Sequence, residues 1–171
     1  MFYSTSVLLL VFAFLHCFAS KADEVNYKHA FSAQVGINGA SGYGSSFGFQ
    51  ALPPDLSYAY KLFDDNKYVL STSFFYDNIG VKAGGLDFNY RIGQRLDVGY
   101  QISKTAIYTT LGLAKMMMKG NLANSTSLVY GFGMEREVSK RWSVMSELNF
   151  QDVKSYKIVN LSAGFIYAFN L

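Results

Sequence analysis

Lys61, Arg91, Arg95, Asp97, Glu135 and Glu147 stand in stretches whose other polar residues are mostly Ser, Asn, Gln, Gly and Thr. Charges in that setting can do two things. Opposite signs can pair, or a carboxylate can gate the passage of an ion. Enzymatic chemistry needs a sharper constellation. The sequence has two histidines, His16 and His29, and one cysteine, Cys17. It has no Gly-x-Ser-x-Gly elbow to raise a serine nucleophile. Asp77, Asp87 and Asp152 have no histidine or paired ligand at metal-binding spacing. The run Gly39-Ala40-Ser41-Gly42-Tyr43-Gly44 lacks the Lys-Ser/Thr that completes a phosphate loop. Asn124-Ser125-Thr126 has the form of a glycosylation sequon. These residues predict no catalytic, cofactor or metal site.

What remains is the question of which elements hold the charges. The chain has 171 residues and a formal charge of +3, with 15 Phe, 13 Tyr and one Trp. So apolar a chain is not disordered, since it has ample surface to bury. One cysteine excludes a disulfide scaffold, and +3 does not support a nucleic-acid binder. Val7 to Phe18 is an apolar run of signal-peptide length, followed by Ser20-Lys21-Ala22. It predicts a signal peptide over 1–22, cut after Ala22, and one domain over 23–171.

That domain alternates with period two. Val159, Leu161, Ala163, Phe165, Tyr167, Phe169 and Leu171 share one parity. Asn160, Ser162, Gly164, Ile166, Ala168 and Asn170 hold the other, with Ile166 its only large apolar residue. A strand separates such sets onto two faces, and a helix scatters them. The pattern recurs to give eight strands. Short polar turns fall near Asp64–Lys67, Ser103–Thr105 and Glu137–Lys140, and longer links near 39–55, 78–86, 119–126 and 152–157. Pro53 and Pro54 cannot donate to a ladder and must lie outside one.

A soluble sandwich also alternates, but its polar face is generally charged. Here the polar face is poor in charge, small and Gly-rich, with a few ionic residues, which suits the crowded interior of a narrow barrel. The large apolar face would then meet lipid. The expected fold is all-β: an eight-stranded antiparallel transmembrane β-barrel, an up-and-down meander. Closure removes sheet edges that hydrocarbon could not satisfy. Tyr60, Tyr68, Tyr100, Trp142 and Phe169 fall near the short-turn end, and Tyr76, Phe88 and Phe150 near the other. Two such levels are expected to form aromatic girdles.

Gly99-Tyr100-Gln101-Ile102-Ser103 followed by Ala106–Gly112, Tyr130–Glu135 leading to Trp142, and the end Ala163–Phe169 together resemble a known family. It is that of the OmpA transmembrane domain, OmpX and the opacity-type surface antigens. The likeness is carried by residues 95–171. It implies that Glu135 and Glu147 point inward and pair with basic residues, with Arg95, Lys61 and Asp97 as their interior companions. It also implies that Phe165, Tyr167, Phe169 and Leu171 form a terminal signal read by the barrel-assembly machinery. The chain departs from the pattern in carrying Ala168 where an Arg is common and in adding Asn170-Leu171.

The expected protein resides in the bacterial outer membrane, with both termini periplasmic. Its role is structural or surface-exposed, serving envelope integrity or host interaction, with the interior plugged by polar side chains. A small or gated pore is the alternative, and a lipid-A-modifying enzyme a lesser one. Outer-membrane lipid, lipopolysaccharide and host surface molecules are the expected partners, with no nucleic acid and no cofactor.

Overall fold

A computed structural model describes residues 27–42, 46–65, 67–119 and 124–170, and of 46–53 the backbone only. The signal-peptide segment and Leu171 lie outside these residues. Eight strands run in chain order: β1 His29–Ser41, β2 Ser46–Asp64, β3 Tyr68–Ala83, β4 Leu86–Ile102, β5 Thr105–Lys119, β6 Ser125–Glu137, β7 Trp142–Val153 and β8 Tyr156–Phe169. Each pairs antiparallel with the next, and β1 pairs with β8, so the sheet closes into a barrel without an edge.

The sheet has two ends. Tyr27 and Asn170 mark the terminal end, together with the turns at 103–104 and 138–141 and the end of β2. The far end is tighter than the sequence suggested. β3 and β4 continue to a two-residue hairpin at Gly84-Gly85, and β7 and β8 to one at Lys154-Ser155. Both Gly84 (φ 54°) and Gly85 (φ 79°) are left-handed, as a two-residue turn matched to strand twist requires.

Parity decides the two faces. Ser32, Gln34 and Asn38 on β1 are buried, whereas Phe31 and Val35 between them are exposed. Large apolar side chains cover the outside on every strand, with Leu113 60% and Phe165 58% exposed. A closed sheet that turns this face outward is built for hydrocarbon rather than water.

Irregularities in register adjust the pattern. Gln34 faces Asp55 but Gly36 faces Gln50, so residues 51–54 bulge from the β1–β2 ladder and Pro53 and Pro54 pair with neither neighbour. A second bulge lies between Phe88 and Tyr90 on β4. It corrects the placement of Phe88 in an outer girdle. The extra residue shifts parity, so Phe88 points inward and is fully buried. There it joins Ala40, Ile79, Val81, Ala83, Met116, Met118, Val153 and Ile158, none more than 8% exposed. The far end of the barrel interior is therefore an apolar layer. Below it, toward the terminal end, the interior is mostly polar, with a smaller apolar cluster of Phe75, Ala114 and Val129.

Candidate functional site: the ionic interior

β4 places Arg91, Arg95 and Asp97 on its inward face, and Gly93 between them keeps that face open. β7 offers Glu147, Asn149 and Gln151 at the same parity. The two strands are not neighbours, so their long side chains meet across the lumen.

Arg95 grips Glu147 with both terminal nitrogens. Nη1 donates to Oε2 at 2.9 Å and Nη2 to Oε1 at 2.6 Å. Its Nε donates to Ser73 Oγ at 3.0 Å. Ser73 Oγ in turn donates to Asp97 Oδ2 at 3.1 Å, and Asp97 Oδ1 lies 3.3 Å from Arg95 Nε. Glu147 accepts two further hydrogen bonds, from the Tyr108 hydroxyl at 2.8 Å and from Asn149 Nδ2 at 3.1 Å. Tyr108 can lie here because its β6 partner is Gly133; a Cβ there would come 2.5 Å from the ring. The Arg95 guanidinium also sits 5.4 Å from the centre of the Phe75 ring.

Burying a charge is costly unless it is paired and hydrogen-bonded, and here each is. Glu147 has four donors on its two oxygens. A carboxylate so engaged has no lone pair directed at a substrate, so the cluster does not resemble a catalytic acid or base.

Two more polar groups occupy the interior. Arg91, fully buried, donates from Nε to Asp77 Oδ2 at 2.7 Å. Near the β1–β8 closure, Asn160 Nδ2 donates to Asn38 Oδ1 at 2.7 Å and to Asp55 Oδ2 at 3.2 Å. Asp55 also accepts the Asn78 backbone N–H at 2.7 Å. The sequence reading passed over Asp55; its parity with Ser57 and Ala59 was the available signal. Toward the terminal end, a cavity of about 90 Å³ opens beside Tyr27, Lys61, Ser71, Asp97, Glu135 and Glu147. That is room for a few waters.

Of the six ionic residues singled out in the sequence, Arg95, Asp97 and Glu147 come together, and Arg91 pairs with Asp77. Lys61 does not join them. It lies at the terminal rim, partly exposed, with its Nζ 3.0 Å from Asp64 Oδ2. It nevertheless lines the same cavity as Asp97, Glu135 and Glu147, at its terminal side. Glu135 takes the Ser143 side chain as its hydrogen-bond partner.

The aromatic residues gather outside, at the terminal end. Tyr68 meets Tyr100 edge-on at 5.3 Å between ring centres, and Trp142 packs on Tyr167 at 5.0 Å. His29 joins Tyr60 and Phe169, at 5.2 and 5.6 Å. Its Nδ1 lies 2.7 Å from the Tyr58 hydroxyl, which occupies it in this cluster. Phe165, Tyr167 and Phe169 follow one another along β8 on the outward parity. Among the described residues no group of three metal-ligating side chains occurs.

The attachment invasion locus protein Ail of Yersinia pestis superimposes with a TM-score of 0.56 at 17% identity, over 83% of this chain and 99% of that one. Neisserial surface protein A superimposes with a TM-score of 0.59 at 20% identity, over 82% and 97%. The fold is that of the eight-stranded outer-membrane barrels. Ail has also been solved in complex with the heparin analogue sucrose octasulfate. No protein-family model matches the sequence, and no curated protein matches it significantly.

Proposed function

We propose that the chain is an integral protein of the bacterial outer membrane with a structural, surface-facing role, neither catalytic nor conductive. One observation supports this reading: an apolar layer crosses the far end of the interior, above an ion-paired network. A continuous water path, which conduction needs, has no room in such a lumen. The termini then lie in the periplasm and the hairpins at Gly84-Gly85 and Lys154-Ser155 face outward. The aromatic cluster of Tyr60, Tyr68, Tyr100, Trp142 and Phe169 serves as the periplasmic-side girdle. The outward rings of Phe165, Tyr167 and Phe169, with Leu171, serve as the terminal signal for the assembly machinery.

The outward rim carries Lys82, Lys115, Lys119, Lys154 and Lys157 against Asp87 and Asp152. Lys82 and Lys157 each lie 3.8 Å from one of these acids, at surface-pair strength. The excess of cations favours the phosphates of lipopolysaccharide, and a sulfated host glycan offers the same chemistry. The test is to purify the protein from outer membranes, compare unboiled with boiled gel mobility, and record it in planar bilayers. A heat-modifiable band without channel steps supports the proposal. Reproducible unitary conductance, or recovery in the soluble fraction, overturns it.

A further inference from the structure

The outward face of β3 and β4 carries two tyrosine pairs. Tyr68 and Tyr100 meet at 5.3 Å toward the terminal end, and Tyr76 and Tyr90 stack at 5.4 Å toward the far end. Along β4, the outward residues between Tyr90 and Tyr100 are Ile92, Gln94, Leu96 and Val98. Ile92, Leu96 and Val98 are apolar and about half exposed. Gln94 is exposed in the middle of them. It is flanked by Phe74 on β3 and Leu113 on β5, both exposed.

A carboxamide in this position is out of keeping with its surroundings. Hydrocarbon offers it no hydrogen bond, and an amide pays for losing water unless it finds a partner. Other outward polar groups on this face meet their needs locally. Thr72 Oγ1 donates to the Arg95 carbonyl at 3.3 Å, and Thr109 Oγ1 to the Val98 carbonyl at 3.5 Å. Gln94 donates one N–H to Thr72 Oγ1 at 3.2 Å. A carboxamide has two N–H donors and an acceptor oxygen, so that bond leaves one donor and the oxygen directed outward.

We propose that Gln94 is the centre of a self-association surface, and that its partner is Gln94 of a second copy of this chain. The membrane supplies the argument for a like partner. Every copy inserted by one machinery has the same orientation, so two copies related by an axis along the membrane normal carry Gln94 at the same depth. A carboxamide is self-complementary, since the free N–H of one meets the free oxygen of the other, and back again. Polar side chains that face lipid act as such glue between membrane segments. Phe74, Ile92, Leu96 and Leu113 would close around the pair and exclude lipid. This inference rests on the membrane residence proposed above, so its test carries a separate check of that residence.

The experiment uses the full chain in native outer membranes and, purified, in liposomes. Carbonate resistance and heat-modifiable mobility are read first on every variant, which separates a failure of membrane residence from a failure of self-association. Gln94→Cys and Leu128→Cys are then oxidised in the membrane, with the parent chain, whose only cysteine is Cys17, as baseline. Dimer formed through position 94 is expected to exceed that through position 128 at least fivefold. In liposomes, energy transfer between labelled copies should fall at least fivefold in apparent association for Gln94→Leu. That substitution places a lipid-compatible side chain on the surface and leaves the interior untouched. Equal cross-linking at the two positions overturns the proposal. So does unchanged association of a folded Gln94→Leu protein.

Discussion

Arg95 on β4 and Glu147 on β7 hold each other through two hydrogen bonds, although 52 residues and two intervening strands separate them. The pair is a strap across the lumen. It ties one wall of the barrel to the other without using a backbone ladder.

Glu147→Gln removes the charge and keeps the shape. Arg95 is then left buried with Asp97 as its remaining counter-ion, and the loss should be about 3 kcal/mol of folding stability. Urea unfolding in lipid vesicles reads this as a lowered midpoint. Bilayer conductance should match that of the parent, because the apolar layer at the far end is unaltered.

Gly112→Ala should be far more damaging than its one methyl suggests. The new Cβ collides with the Gln94 carbonyl and approaches Arg95 Cα to 2.6 Å, and both are backbone atoms fixed in the β4–β5 ladder. Overpacking of this kind costs roughly 1–3 kcal/mol. At Gly99 the nearest atom to a new Cβ is Tyr108 Cβ, at 3.1 Å, so Gly99→Ala should cost less. The yield of the heat-modifiable form, compared for the two variants, measures the difference.

Asp65 caps the β2–β3 turn. Its Oδ1 accepts the backbone N–H groups of Tyr68 at 2.7 Å and Lys67 at 3.1 Å. These bonds hold its carboxyl below the ordinary value of 3.8, because they favour the charged form. A depressed folded pKa contributes stability that is present above the unfolded value and lost as pH falls through the folded one. Asp65→Ala should therefore lower the urea midpoint at pH 7. The gap from the parent should shrink as pH falls below about 4.

Trp142 is the chain's single tryptophan and lies half exposed on the outward face at the terminal end. In vesicles, bromine placed near the headgroup should quench its fluorescence more than bromine placed at the tail end. Stronger quenching by the deep label would remove Trp142 from the interface.

Much of this was legible because a strand's period is two and a barrel has only two faces. Val159 to Phe169 declared their outward parity, and Ser162 and Asn160 their inward one. The register of β4 was harder. The bulge between Phe88 and Tyr90 adds a residue and reverses the parity above it, so alternation assigned Phe88 to lipid and concealed the apolar layer. Met116 and Met118 had the inward parity, but nothing local distinguished them from an ordinary strand end. The meeting of Arg95 with Glu147 depends on lumen width and side-chain reach, which sequence spacing does not encode. Lys61 shares the polar parity, and its height on β2 also brings it to Asp64, a contact that parity does not encode.

The apolar layer makes the molecule a vessel with one mouth. Phe88, Met116 and Ile158 seal it on the side of the hairpins, while the cavity beside Tyr27 and Lys61 opens where the chain begins and ends. Water, protons or a small solute reach Asp97 and Glu147 from that side. In the orientation proposed above, a reagent applied outside an intact cell would leave the ionic network untouched until it had crossed the membrane by another route.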